Sequence, residues 1–118
     1  MRAAFAYLFL FALSLNAHAE QFSAMGYGLQ SCAKYGEAYK QRPDEADTVY
    51  FAWALGFMSG LNLGVMSKKA APKNLAATTQ DEQRRFLRQW CDIHPTANYG
   101  DGVVELLRSL PEATGKKP

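Results

Sequence analysis

The sequence TVYFAWALGFMSGLNLGVMS, residues 48–67, has no charged side chain in a chain of which 20% of the residues are charged. Residues four apart share one face of a helix, and at this spacing a row of small residues runs beside a row of large ones. The small row is Thr48, Ala52, Gly56, Gly60 and Gly64, and the large row is Val49, Trp53, Phe57, Leu61 and Val65. Each glycine inside a helix costs about 1 kcal/mol relative to alanine. We therefore expect Ala52, Gly56, Gly60 and Gly64 to offset that cost by packing closely against another helix.

The remaining faces of residues 48–67 are also mostly apolar, and two environments suit such a helix: the centre of a globular domain and a lipid bilayer. The run is long enough to span a bilayer, and it has acidic residues before it and lysines after it, as oriented membrane spans do. A span would place Cys32 and Cys91 on opposite sides of the membrane. Because a disulfide between them excludes a span, we predict a buried central helix and no membrane span in the mature chain.

The N-terminus has the layout of a secretory signal peptide. Arg2 is followed by an apolar run from Ala3 to Leu15, and then by an Ala-His-Ala site that ends at Ala19. The run is short for a membrane span, which disfavours the alternative of an uncleaved anchor. We predict a signal peptide over residues 1–19, cleavage near Ala19, and a mature protein that is periplasmic or secreted.

The two cysteines, Cys32 and Cys91, both lie in the predicted mature chain. Two cysteines in an oxidising compartment favour one disulfide, and the alternative is a pair of buried free thiols. With His94, the one histidine outside the predicted signal peptide, they do not complete a zinc site. The formal net charge of +2 gives no indication of a nucleic-acid partner. We predict a disulfide, no metal and no cofactor.

Capping signals divide the mature chain into helices. Ser31 can cap a first helix, and Asp44 is the predicted N-cap of the second. Thr79 begins a capping box for the third helix, and either Thr96 or Asn98 can begin the fourth.

These helices predict the fold class. We expect an all-α fold, a small four-helix domain around the buried glycine-rich central helix, over residues 20–110. The disulfide would tie the first helix to the end of the third. After residue 110 the composition predicts a disordered tail over residues 111–118.

No motif in the chain gathers the groups that a hydrolytic, metal-dependent or nucleotide-binding enzyme needs. Asp92 and His94 are close in sequence, but a catalytic base also needs a positioned nucleophile. We expect His94 to cap the last carbonyls of the third helix. We predict no catalytic residue, and an enzyme that depends on His94 is the least favoured alternative.

Two groups of basic residues are candidates for contact with a partner: Lys68, Lys69 and Lys73 in the loop after the central helix, and Arg84, Arg85 and Arg88 on the third helix. Loops carry function more often than packed faces do, which favours the lysines. The alternatives are that the lysines only increase solubility and that the arginines form a solvated outer face supported by Asp81 and Glu82.

Several short motifs resemble those of the Rap/Tai-type immunity proteins, which sit in the periplasm and block amidase toxins delivered by type VI secretion. The motifs are Ser31-Cys32, the Gly56-Phe-Met-Ser-Gly60 helix, Arg88-Gln-Trp-Cys91 and His94-Pro95. That family also has a Cys-x-Pro segment ahead of the His-Pro helix, which this chain lacks, so no toxin-contact residue is carried over. The cysteine pair and the helix content resemble, more distantly, the HdeA-like acid-stress chaperones.

The resemblance implies a periplasmic protein that works by binding another protein. We expect an immunity-like inhibitor of a secreted toxin, which reaches the site of the toxin with the loop of residues 67–78. The alternative is an acid-stress chaperone for unfolded clients, whose carboxylates lose their charge at low pH and whose apolar helix becomes available. A homodimer is left open.

Overall fold

The computed structural model describes residues 25–115 and shows a small all-α domain with one disulfide. Its helices are α1 (Cys32–Gln41), α2 (Pro43–Ser67), α3 (Gln80–Ile93) and α4 (Tyr99–Ser109), and a 3-10 turn (Tyr27–Leu29) precedes them. Within residues 25–115 there are two isolated β-bridges and no strand. The predicted all-α class and the four helices are confirmed. The predicted signal peptide lies outside the described residues.

Three helices begin where their capping signals predict. Ser31 Oγ accepts a backbone N–H from the first turn of α1 at 3.1 Å, and Thr79 and Glu82 form the predicted capping box of α3. Of the two starts predicted for α4, Asn98 is the one used, and its N–H donates to the Asp101 carboxylate at 3.0 Å. These contacts satisfy backbone groups that the first turn of a helix otherwise leaves without partners.

The start of α2 differs from the prediction. The helix begins at Pro43, and its N-cap is Arg42 rather than Asp44. Proline is favoured at the first helical position, because its φ already suits a helix and the N–H that it lacks would have no partner there. Asp44 and Glu45 lie instead in the first turn, where carboxylates interact favourably with the helix dipole.

The disulfide joins Cys32, in the first turn of α1, to Cys91, in the last turn of α3, as predicted. Both cysteines are buried. Beside the bridge, the Cys32 N–H donates to the Ala97 carbonyl at 2.7 Å, and the Tyr99 N–H donates to the Gln30 carbonyl at 2.8 Å. The start of α1 is therefore held both covalently and by backbone hydrogen bonds to the α3–α4 connection.

The core lies between α1, α3, α4 and one face of α2. The inward residues of α2 follow the helical spacing of four: Ala46, Tyr50, Ala54 and Met58 are all buried. They meet buried side chains of the other helices, which include Tyr35, Leu87, Tyr99, Val103 and Leu106.

The glycine row of α2 lies outside this core. Ala52, Gly56, Gly60 and Gly64 are all exposed. A Cβ atom added to any of the three glycines would meet no atom from outside its own turn of helix within 4 Å in the described part of the chain. The predicted close packing of this row is therefore wrong for residues 25–115, and α2 is buried on one face rather than all round. Burial follows apolar area, and the row with Tyr50 and Met58 has more of it to bury than a row of glycines.

Close packing on glycine occurs elsewhere in the fold. Gly28, in the 3-10 turn, lies against the Trp53 indole, and a Cβ atom there would overlap the ring. A Cβ atom on Gly100 would lie 2.9 Å from the Gly28 carbonyl oxygen, and one on Gly102 would lie 2.8 Å from the Trp90 ring. These glycines let the 3-10 turn and α4 approach the two tryptophans of the chain.

The predicted disordered tail is ordered at its beginning. The Pro111 carbonyl accepts the Asn74 N–H at 2.8 Å, and the Ala113 N–H donates to the Pro72 carbonyl at 2.8 Å. The prediction is thus wrong for the first three residues of the tail, which pair with the α2–α3 connection; residues 116–118 lie outside the described part.

The C-terminus of α2 is a Schellman motif that contains lysine where glycine is usual. The Lys69 N–H donates to the Met66 carbonyl at 2.9 Å, and the Ala70 N–H donates to the Val65 carbonyl at 3.2 Å. The motif places Lys69 in the left-handed region, with φ of 58°. A side chain is unfavourable in that region because Cβ crowds the backbone.

We expect Lys69→Gly to raise the free energy of unfolding by about 1 kcal/mol, because glycine adopts the left-handed conformation without this crowding. Urea denaturation measures the difference. Lys68→Gly is the control, since Lys68 has φ of −93°, and it should give no gain. Equal gains at both positions would contradict the explanation.

Candidate functional site

The α2–α3 loop, residues 68–79, is held in place by side chains of both helices that it joins. Asn62 of α2 makes two hydrogen bonds to the Lys73 backbone: Nδ2 donates to the carbonyl at 2.8 Å, and Oδ1 accepts the N–H at 2.9 Å. Gln83 of α3 is buried, and its Nε2 donates to the Leu75 carbonyl at 2.7 Å. These contacts fix the middle of the loop to α2 and its later part to α3.

Lys73, one of the three predicted partner-contact lysines, has a structural role in the loop. Its ammonium group donates to the carbonyls of Leu110 at 2.9 Å and Arg108 at 3.5 Å, at the C-terminal end of α4. A cation is stabilising at this end of a helix because the dipole is negative there. Lys73 therefore ties the loop to α4, whereas Lys68 and Lys69 are exposed at the loop's start.

The three arginines of α3 do not form one outer face. Arg84 pairs with Asp81 at 3.0 Å, as predicted, but its guanidinium lies over a core phenylalanine ring. Arg88 pairs with Asp47 of α2 at 2.7 Å and lies over a tyrosine ring of α1. The side chains of Arg84 and Arg88 are only 29% and 26% exposed. Arg85 is the one exposed arginine of the three, so a continuous arginine patch is absent.

A tyrosine cluster that the sequence did not predict lies between α1, α2 and α4. The ring centroids of Tyr35, Tyr50 and Tyr99 lie 4.8 to 5.0 Å apart. The Tyr35 hydroxyl donates to one oxygen of Asp47 at 3.0 Å, and Arg88 donates to the other oxygen at 2.7 Å. The placement of the tyrosines on inward helix faces could have indicated the cluster. The contact between Asp47 and Arg88, which are 41 residues apart, depends on the tertiary structure and has no local signal in the sequence.

Burial raises the pKa of all three tyrosines, and the nearby Asp47 carboxylate adds to the effect at Tyr35. The folded protein thus favours the neutral phenols. The stability that these groups contribute is fully present below about pH 10, the usual pKa of tyrosine, and is lost as the pH rises through the higher pKa values of the folded state.

We therefore expect the protein to unfold in alkaline solution, above about pH 10. Part of the increase in tyrosinate absorbance should then occur together with the loss of the helical circular dichroism signal. Tyr99→Phe should flatten the fall of stability with pH in this range, because it removes a phenol whose pKa burial raises. Complete ionisation of the tyrosines in a protein that is still folded would contradict the expectation.

His94 takes the structural position predicted for it. Its Nδ1 lies 2.8 Å from the Trp90 carbonyl oxygen at the end of α3, and its ring stacks on the Trp90 indole with centroids 4.1 Å apart. Since a carbonyl only accepts, Nδ1 is the donor in this contact. The predicted cap is confirmed. In the part of the chain that the structure describes, no group of three or more His, Cys, Asp or Glu side chains is arranged to hold a metal ion.

Two open cavities lie on either side of α1. One, of about 720 Å³, runs between α1 and α3 beside the disulfide. The other, of about 300 Å³, lies between α1, α2 and the 3-10 turn. Among the described residues, neither lining includes a serine, a histidine or a free cysteine.

The outward face of α2 is an uncharged surface that continues to the loop. Besides the small row it exposes Leu63 and Met66, which are 67% and 53% accessible. Within residues 25–115, α2 is also the one helix that is long and apolar enough to cross a membrane by length and composition, and 22% of its 18-residue window is buried in the fold.

Comparison of the chain with protein-family models, with curated proteins and with solved structures finds no match. Two surfaces of the described part of the chain are candidates for binding: the start of the α2–α3 loop, where Lys68 and Lys69 are exposed, and the outward face of α2.

Proposed function

We propose that this protein is a periplasmic inhibitor without enzymatic activity, which binds a secreted toxin in the manner of an immunity protein. The observation that carries the proposal is the α2–α3 loop, in which exposed residues 68–71 precede a segment anchored by Asn62 and Gln83. A loop that is ordered before binding loses little conformational entropy when it binds, and affinity is higher for that reason.

The start of the loop indicates what kind of surface it suits. Lys68 and Lys69 are exposed beside the exposed thioether of Met66. Two ammonium groups next to an apolar side chain complement a cleft that is acidic at its rim and apolar within. Charge complementarity of this kind raises the association rate and disfavours basic partners.

The disulfide supports the proposed periplasmic location of the protein. Such bonds persist in oxidising compartments, which supports export. Cys32 precedes α2 and Cys91 follows it, and the two are bridged with Cα atoms 4.8 Å apart. A membrane-spanning α2 would separate them, so the bridge supports a globular protein with no span in the mature chain.

The first experiment is co-purification of the exported protein with a toxin encoded beside its gene, together with a test of protection against that toxin. Lys69→Glu should weaken binding by about tenfold or more, because it reverses a charge at the contact. Lys34→Glu, a charge reversal at an exposed position of α1, should leave binding unchanged.

A second variant tests whether the ordered backbone of the loop contributes to binding independently of its charged side chains. Asn62→Ala removes both hydrogen bonds to the Lys73 backbone and leaves the exposed lysines in place. We expect weaker binding with a folded domain by circular dichroism. The proposal is contradicted if no neighbouring toxin exists and the protein gives no protection, or if binding survives both Lys69→Glu and Asn62→Ala.

The outward face of α2 favours a second candidate function, an acid-stress chaperone. Leu63 and Met66 are exposed in the folded domain, and unfolded clients offer apolar segments that such a face can bind. Suppression of client aggregation at about pH 2 to 3, below the usual carboxyl pKa values, would favour this function. Leu63→Ser should reduce that activity and leave toxin binding unchanged, whereas Lys69→Glu should do the opposite.

A further inference from the structure

The cleft between α1 and α3 has two distinct ends, because the helices run antiparallel. The disulfide joins the start of α1 to the end of α3, with Cα atoms 4.8 Å apart. Further along, the Arg88 guanidinium lies 5.0 Å from the centroid of the Tyr39 ring, near the end of α1. The cleft of about 720 Å³ therefore runs from the disulfide to the Tyr39–Arg88 contact. Its volume is in the usual range of ligand-binding sites.

Charges of both signs line this cleft, and they are separated along it. Lys40 and Arg85 lie at the end away from the disulfide. Asp92 lies beside the disulfide, and Glu37 lies between the two ends. These four residues are exposed, and none of them takes part in the salt bridges found among residues 25–115. The cleft thus has a cationic end and an anionic end whose charges are available to a ligand.

Arg88 is held in a fixed position at the cationic end and has hydrogen-bond donors to spare. It donates to Asp47 at 2.7 Å, and its guanidinium lies over the Tyr39 ring. A guanidinium carries several N–H donors. Arg88 is 26% exposed and lines the cleft, and none of its nitrogens is buried without a partner in the described part of the chain. The donors that Asp47 leaves unused are therefore accessible, and a second carboxylate suits them.

We propose that this cleft binds a peptide segment of a partner protein that carries an acidic side chain and, about three residues away, a basic one. The acidic side chain accepts hydrogen bonds from Arg88 at the cationic end, and the basic side chain lies near Asp92. Arg85 and Asp92 are seven residues apart on α3, which is about 10 Å along a helix. Three residues of an extended peptide cover about the same distance. This inference goes beyond the inhibitor function and does not depend on it.

The charge balance of the cleft favours such a peptide over a phosphate or a nucleic acid. The lining contains three basic and two acidic side chains, and Asp47 already pairs with one of the basic ones. A ligand that carries only negative charge would meet the two carboxylates of the lining, and like charges that face each other in a complex are unfavourable. A segment with both signs of charge places each of them against its opposite.

The first test is a titration of the exported, disulfide-bonded protein with a synthetic peptide, acetyl-Glu-Ala-Ala-Lys-amide, followed by ¹H–¹⁵N NMR. We expect saturable shifts of the amide resonances of residues 33–40 and 85–95. A peptide this short should bind with a Kd of about 1 mM. The control peptide is acetyl-Gln-Ala-Ala-Gln-amide, which has the same length and no charge, and it should not bind.

The second test uses variants of the cationic end. Lys40→Gln combined with Arg85→Gln should weaken peptide binding by about tenfold or more, because the acidic side chain loses two neighbouring cations. Both positions are exposed, so the fold should be retained by circular dichroism. Lys34→Gln is the matched control: it removes an exposed lysine of the same helix that lines the other cavity, and it should leave binding unchanged.

The third test addresses the anionic end. The wild type should bind acetyl-Glu-Ala-Ala-Glu-amide at least about tenfold more weakly than the peptide that ends in lysine, because the second glutamate meets Asp92. Asp92→Lys should reverse this preference.

Four results would overturn the inference. They are the absence of saturable binding, equal binding of the uncharged peptide, and binding that the Lys40→Gln and Arg85→Gln double variant leaves unchanged. The fourth is inorganic phosphate that binds in the cleft more tightly than the peptide, because the site would then be one for a free anion.

Discussion

Replacing Cys32 and Cys91 together by alanine is expected to lower the free energy of unfolding by about 4 kcal/mol. The bridge closes a loop between residues 59 apart in sequence, and without it the unfolded chain gains the conformational entropy of that loop. A domain of this size has a total stability of roughly 5–15 kcal/mol. The midpoint of thermal unfolding should fall by about 15 to 30 °C.

The place of the bridge in the fold adds to the effect. It connects α1 to α3, and α1 has only 10 residues, too few for an isolated helix to be stable in water. Hydrogen exchange should therefore show the largest loss of protection in α1. Urea denaturation of the variant and of the wild type, each with and without reductant, measures the free energy.

The reductant supplies the control. It should destabilise the wild type by a similar amount and leave the double alanine variant unchanged. A loss below about 1 kcal/mol in the variant would mean that the noncovalent contacts beside the bridge suffice, and would contradict the assignment of this stability to loop closure.

Gly28→Ala is expected to destabilise the domain by about 3 kcal/mol, at the upper end of the usual cost of adding atoms to a packed site. A Cβ atom on Gly28 would overlap the Trp53 ring. The ring cannot move freely, because its Nε1 donates to the Met25 carbonyl at 2.7 Å and its indole stacks on Phe57. The same backbone also lies against Gly100 of α4, so a shift of the 3-10 turn would disturb α4.

Chemical denaturation measures the cost, and two variants test its cause. Gly36→Ala adds the same methyl group at a helical glycine with open space around it, and it should stabilise by about 1 kcal/mol. In a Trp53→Leu background the additional cost of Gly28→Ala should become small, because the overlapping ring is gone. An equal cost in both backgrounds would show that the overlap is not the reason.

Features that depend on residues close in sequence were predictable in this protein. The capping box of Thr79 and Glu82, the cap at Ser31 and the His94 contact at the end of α3 each use atoms within four residues. The disulfide was predictable for another reason: two cysteines allow only one pairing.

Features that depend on which face of a helix turns inward were predicted less well. Gly56, Gly60 and Gly64 were expected to lie in close contact with another helix, and they are exposed. All four rows of α2 were apolar, so spacing alone did not identify the inward row. Three glycines that do pack closely lie in other elements. Gly28 and Gly100 meet Trp53, which is 25 and 47 residues away in sequence, and Gly102 meets Trp90.

The candidate site shows the same division. That the loop after α2 carries lysines could be read from the residues, and Lys68 and Lys69 are indeed exposed. The contact of Lys73 with the end of α4 and the salt bridge between Arg88 and Asp47 could not be predicted, because each joins elements that meet only in the folded chain.

Periodicity, capping signals and a single pair of cysteines were enough to predict the four helices, three of their N-caps and the disulfide, because each of these features acts locally or has no alternative. Which row of α2 is buried, and which charges pair within the fold, depends on how the four helices pack together. Apolar faces compete for a limited interior, so the outcome for one helix cannot be read without the others.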